Sequence, residues 1–159
     1  MICEKILGKI EDFDPTGKKI EYIDIEWAES TKKVHRKQTE SGLEVGLRMD
    51  DSVLVRGLYE GDVIYADDQM IIAVHTPACE VIKIHVHRDH AFMVAKVCYE
   101  IGNRHAPLFY GHDDFSFVTP YNEPMLVMLK KMHGIDVERA VEKLDFEHRV
   151  SASIHHHHH

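Results

Sequence analysis

Cysteine is scarce in this chain of 159 residues: Cys3, Cys79 and Cys98 are an odd number with no CxxC spacing. That excludes a disulfide framework and a zinc knuckle, and it fits a reducing compartment. Long apolar runs are missing too, since no stretch approaches the roughly 18 residues a membrane span needs. The opening Met1-Ile2-Cys3-Glu4-Lys5-Ile6 alternates and carries an acidic residue instead of building a signal-peptide core. The expectation is a cytoplasmic protein with no membrane partner. Positive charge is not in excess either: 27 acidic against 19 basic residues leave a formal charge of -8. Nucleic acid is therefore an unfavourable partner, because its phosphates are met by a basic patch that releases counterions. No HExxH, GxSxG, Walker A loop or GxGxxG after a strand occurs, so the common hydrolase and nucleotide sites have no anchor and no enzyme is expected. The paired carboxylates Asp50-Asp51, Asp67-Asp68 and Asp113-Asp114 fall where turns are expected, and solvated turns account for them.

Apolar residues at 44% and charged residues at 29% are ordinary for a chain that folds, and the length allows two small cores. Residues 1–75 read as short strands punctuated by Ser41-Gly42, Glu60-Gly61-Asp62 and Asp67-Asp68, with alternation across Ile20 to Trp27 and no helix-period segment. They predict an all-β domain, a small barrel or two sheets, whose last hairpin pairs Val63-Ile64-Tyr65 with Ile71-Ile72-Ala73-Val74. A boundary is expected near His75-Thr76-Pro77. Beyond it, Val81 to Ile84 reads as a strand, and Ala91, Val94, Ala95, Cys98 and Ile101 have helical spacing, with Asp89 as N-cap and Gly102 as the left-handed exit. A hairpin, 108–110 with 115–118, and a Met-rich helix opened by Asn122 and Pro124 follow. The Met spacing is that of gap-filling core residues. Asp136 to Lys143 reads either as a last strand or as a helical turn; as a strand it completes a ferredoxin-like βαββαβ unit over 76–147. The fold class expected is α+β, with residues 148–159 as a flexible His-containing tail.

Histidine is the abnormal count, at 14. Five of them, His155 to His159, form a terminal run that has the look of an affinity tag, yet nine remain without it. Three groupings stand out. In Gly102-Asn103-Arg104-His105-Ala106-Pro107 a short stiff turn presents His105, which as one imidazole binds a divalent metal weakly unless a two-fold dimer brings a second copy to it. His85-Val86-His87-Arg88-Asp89-His90 matches the H-x-H-x-D-H pattern of the metallo-β-lactamase superfamily. Those hydrolases need a four-layer sandwich longer than this chain and further ligands downstream, so an auxiliary metal site or solvated polar residues are the readings that fit. The third grouping is His148 with the terminal run, after a polar stretch that has little to bury.

The stretch Tyr99-Glu100-Ile101-Gly102-Asn103-Arg104-His105-Ala106-Pro107-Leu108 is similar to the Y-x-[LI]-G-N-R-H-x-P-L segment of the UreE urease accessory proteins, a nickel metallochaperone family. Arg36 to Val45 and Gly61-Asp62-Val63-Ile64-Tyr65 resemble that family's R-x-x-T-x-x-G-x-x-V and G-D-V-L pieces, so the likeness covers nearly the whole chain. The resemblance implies an N-terminal partner-binding β domain and a metal domain that forms a homodimer, in which His105 from two chains holds one Ni²⁺, with Zn²⁺ or Cu²⁺ able to compete. It implies that histidines near the chain end, here His148 and His155 in the run, complete or load the site. The histidine cluster that some relatives carry at the start of the second helix is replaced here by Tyr121-Asn122-Glu123-Pro124 and is not carried over. It further implies delivery to urease apoprotein with other accessory proteins, including a GTPase. A general metal-storage or buffering protein for Ni²⁺, Zn²⁺ or Cu²⁺ is the alternative expectation.

Overall fold

A computed structural model describes residues 1–150; His155, named above as a metal ligand, lies outside the described residues. The described residues divide into two compact units, 1–77 and 78–150. Strands dominate both, a few helices join them, and the class is α+β.

The first unit contains β1 (Ile2–Cys3), β2 (Gly8–Lys9), β3 (Lys19–Asp24), β4 (Val34–Gln38), β5 (Glu44–Arg48), α1 (Val53–Arg56), β6 (Asp62–Ala66) and β7 (Met70–His75). They form two sheets among the described residues, ordered β1-β5-β4 and β2-β6-β7-β3. Alternation sets the inner faces: Ile23, Val45, Leu47, Ile72 and Val74 share one core with Cys3, Ile25 and Leu58. The expected pairing of 63–65 with 71–74 is the antiparallel β6–β7 ladder. The helix-free expectation is corrected by α1, a single turn whose Val53 reaches the core and whose Arg56 has a specific task. Arg56 forks onto the fully buried Asp62 at 2.7 and 2.8 Å, and the Tyr59 backbone N–H donates to the same carboxylate at 2.6 Å. A buried charge needs this many partners to be tolerated. The Gly-Asp-Val piece noted in the sequence thus carries a buried carboxylate, paired with the half-exposed Arg56, at the entry to β6.

The second unit runs β8 (Cys79–Val86), α2 (Met93–Asn103), β9 (Phe109–Tyr110), β10 (Ser116–Pro120), α3 (Glu123–Lys130) and β11 (Ile135–Glu142). The sheet order is β11-β8-β10-β9 and every neighbouring pair is antiparallel. The ambiguous last segment is a strand because eight successive residues pair with β8. Ile82, Ile84 and Val86 face α2 and α3, where they meet Val97, Ile101, Met125 and Leu129 in one core. By the period of two, Lys83, His85 and His87 project to the other side. After β11 the chain crosses to the free edge of β9: Arg149 bridges Phe109, the Val150 N–H donates to the Leu108 carbonyl at 2.8 Å, and Leu144 is buried. The tail boundary expected at 147–148 therefore falls inside a segment tied to the sheet.

Two helix ends differ from expectation. Asp89 does not cap α2, because residues Arg88–His90 form a separate 3₁₀ turn and the helix starts at Met93 after Phe92. Gly102 is not the left-handed exit; it stays helical, and the exit is His105, three residues later. Ile101 is completely buried within the last turn, and the helix runs on to Asn103 before the chain turns out after Arg104.

A buried carboxylate gives the first unit a pH signature. Glu21 on β3 accepts from the Ser41 hydroxyl at 2.6 Å; with Thr39 adding a second hydrogen bond and Lys19 lying 3.1 Å away, its carboxyl is held down at about 2. A pKa lowered in the folded state stabilises above the unfolded value and the contribution fades as pH falls through the folded one. Glu21→Gln is therefore expected to lower the melting temperature clearly at pH 7 and progressively less between pH 4 and pH 2. A deficit that stays constant over that range would rule this linkage out.

Candidate metal centres

The turn after α2 is built by backbone hydrogen bonds. The Ala106 N–H donates to the Ile101 carbonyl at 3.3 Å and the His105 N–H to the Gly102 carbonyl at 2.9 Å, the paired bonds of a Schellman ending. Ala106 packs against the core that contains Ile101, which supplies the apolar contact such endings use. Arg104 is tied back to Glu100 at 2.8 Å. The residue placed in the left-handed region is His105, at φ 58°, the sole non-glycine with positive φ among the described residues. Glycine is the usual occupant there; an L-residue costs about 1–2 kcal/mol. His105 is exposed. A strained position occupied by an exposed imidazole points to a use for that side chain.

The second grouping sits at the far end of the same helix. His87 follows β8, and the 3₁₀ turn of Arg88–His90 folds back so that donor atoms of His87, Asp89 and His90 lie within 4.8 Å of one another. Eleven residues of α2 stand between this cluster and the His105 turn, a rise of about 16 Å. The structure therefore does not bring His105 together with His87 and His90 in one chain. His85 is separate again: its Nδ1 lies 3.1 Å from the Ser116 hydroxyl, and its ring stacks on His112 with centroids 6.4 Å apart.

His148 lies with that third group. It closes a 3₁₀ turn, its Nδ1 is 3.1 Å from Asp145, and it lines a groove of about 720 Å³ on the helix-free face together with His85, His112 and Asp136. His105 does not line this groove. Within a single chain, His148 thus shares a groove with His85 and His112, and the imidazole it was expected to assist does not line it. Arg149 and Val150 run antiparallel to Phe109 and Leu108.

Known proteins match this sequence along nearly the whole chain. The N-terminal domain of the UreE urease accessory protein matches residues 3–76, and its C-terminal domain matches 79–159. The chain belongs to the UreE urease accessory protein family. Urease accessory protein UreE of Helicobacter acinonychis is 38% identical over 98% of this chain and 89% of its own length. The Helicobacter pylori protein of the same name has the same identity and coverage, and that of Helicobacter bizzozeronii is 34% identical over 98% of this chain and 86% of its own length. No helix among the described residues is long and apolar enough to cross a membrane.

The strain at His105 is testable apart from any metal. Glycine there escapes the left-handed penalty of about 1–2 kcal/mol and gives back about 0.4–1 kcal/mol through the looser unfolded chain. His105→Gly is therefore expected to stabilise the metal-free protein slightly in urea titration, whereas His105→Ala leaves the penalty in place. A glycine variant less stable than the alanine variant would show that the turn is unstrained.

Proposed function

We propose that this member of the UreE family is a metallochaperone without catalytic activity that carries Ni²⁺ in the cytoplasm for assembly of the urease active site. In this reading 76–147 is the ferredoxin-like metal-binding and dimerising domain and 1–75 engages protein partners, among them urease apoprotein and other accessory proteins including a GTPase. The observation that carries it is His105, an exposed imidazole retained at a strained helix exit. One imidazole is a poor site, and a two-fold axis placing two copies face to face supplies a second ligand without further residues. The outer surface of α2 supports such a homodimer: Phe92, Ala95 and Tyr99 form an apolar stripe running toward the turn, with Phe92 and Tyr99 exposed by 71% and 68%. Apolar side chains left this open on one helix face mark a surface for another protein.

Two imidazoles hold the ion and leave coordination positions open, which allows both capture and release. His155 and, across the dimer, His148 serve as exchangeable outer ligands. Affinity order favours copper over nickel and zinc, so nickel is selected by geometry and supply. Protonated imidazole has no lone pair for a metal, so the ion is held less well in acid.

Calorimetric titration with Ni²⁺, joined to sedimentation analysis, tests this. In a chain with His155–His159 changed to serine, one tightly bound ion per two chains is expected, and His105→Ala should abolish it while leaving the protein folded. Several tight ions per chain that survive His105→Ala would favour storage, and a monomer that binds nickel tightly would end the dimer reading.

A further inference from the structure

A second cluster of metal-ligating side chains lies at the other end of α2. We propose that His87, Asp89 and His90 form a site for one borderline divalent cation, Ni²⁺ or Zn²⁺, in each chain, independent of His105 and of dimerisation. Among the described residues this is the sole group of three His, Cys, Asp or Glu side chains whose donor atoms converge within 4.8 Å.

The convergence comes from the backbone and not from chance side-chain placement. The His87 N–H donates to the Gly134 carbonyl at 2.9 Å, which pins the end of β8 to the loop before β11. The His90 N–H then donates to the His87 carbonyl at 2.9 Å, closing the tight turn that brings position 90 back over position 87. Gly134 supplies the seat for the second ring. Its φ is 81°, and a Cβ there would come within 2.4 to 2.6 Å of three His90 atoms, so the His90 side chain rests against bare backbone. Neither imidazole is a free surface arm; both are half-buried.

The surrounding groups suit a cation. Asp136, from the neighbouring β11, lies 3.1 Å from His87 Nε2. A carboxylate on one ring nitrogen fixes the imidazole and raises the basicity of the other, the arrangement metal-binding histidines commonly have. Asp89 contributes a full negative charge, and Arg88, the cation of the same turn, is drawn away over the Phe115 ring at 4.7 Å. An ion with bonds of about 2.0–2.1 Å needs donor atoms about 3.3 Å apart, so side-chain rotations of about 1–2 Å complete the site. Two imidazoles and one carboxylate select nickel, zinc or copper over magnesium and calcium, which take oxygen ligands. Three ligands from one short turn leave positions open, so the site exchanges its ion readily.

The test uses the full-length chain with His155–His159 changed to serine and His105 changed to alanine, titrated with Zn²⁺ and with Ni²⁺ and followed by the imidazole resonances in NMR. One ion per chain is expected, with shifts at His87 and His90 that saturate together, while Mg²⁺ produces none. Changing His87 and His90 to asparagine should remove the ion. Asp89→Asn, an exposed change that leaves the turn intact, should weaken binding about tenfold, and Asp136→Asn about 10- to 100-fold. Unchanged affinity in the double asparagine variant or in Asp89→Asn, or no binding in the starting chain, would overturn the proposal. Because His105 is absent throughout, the result stands apart from the outcome for the dimer site.

Discussion

The packing of α2 on β8 governs the chemistry of this protein. Val97 and Ile101 from the helix close over Ile82, Ile84 and Val86 from the strand, and each of these side chains is almost completely removed from water. Two consequences follow from that one contact. The rotation of α2 decides that the chain leaves the helix at His105, and the alternation of β8 sends Lys83, His85 and His87 to the opposite side. Apolar burial, which has no chemistry of its own, thereby positions His85, His87 and His105.

The helix also keeps two candidate metal sites apart. The His105 turn is an isolated imidazole on a strained exit, incomplete in one chain, whereas the His87, Asp89 and His90 turn converges within one chain. The difference is physical. A Schellman ending projects one residue outward, while a 3₁₀ turn folding back on a strand end gathers neighbours. One geometry suits sharing between copies, and the other suits temporary residence of an ion on a single copy.

Much of the architecture was legible because it rests on local pattern. The period-two strands, the Met-rich helix opened by Asn122, whose side chain does accept from the Met125 N–H, and the hairpin of β6 and β7 all follow from residue spacing. The misplacements are confined to ends. Asp89 and Gly102 are good cap residues in isolation, but the helix runs from Met93 to Asn103, with Met93 and Ile101 buried in the core near its two ends. In the first unit α1 was too short to show a period, and its purpose, holding Asp62, depends on a residue outside the helix.

What the sequence determined by itself was an excess of histidine, the family-type stretch Tyr99–Leu108 around His105, and β and α segments in a workable order, since these depend on residue types and near neighbours. Only the tertiary structure decided that His105 takes the left-handed position, that Gly134 makes room for His90, that Asp136 reaches His87, and that His148 sits across the sheet from the helices. Those are contacts between segments distant along the chain, and their geometry is set by how strands pair and cores fill, which no local spacing encodes.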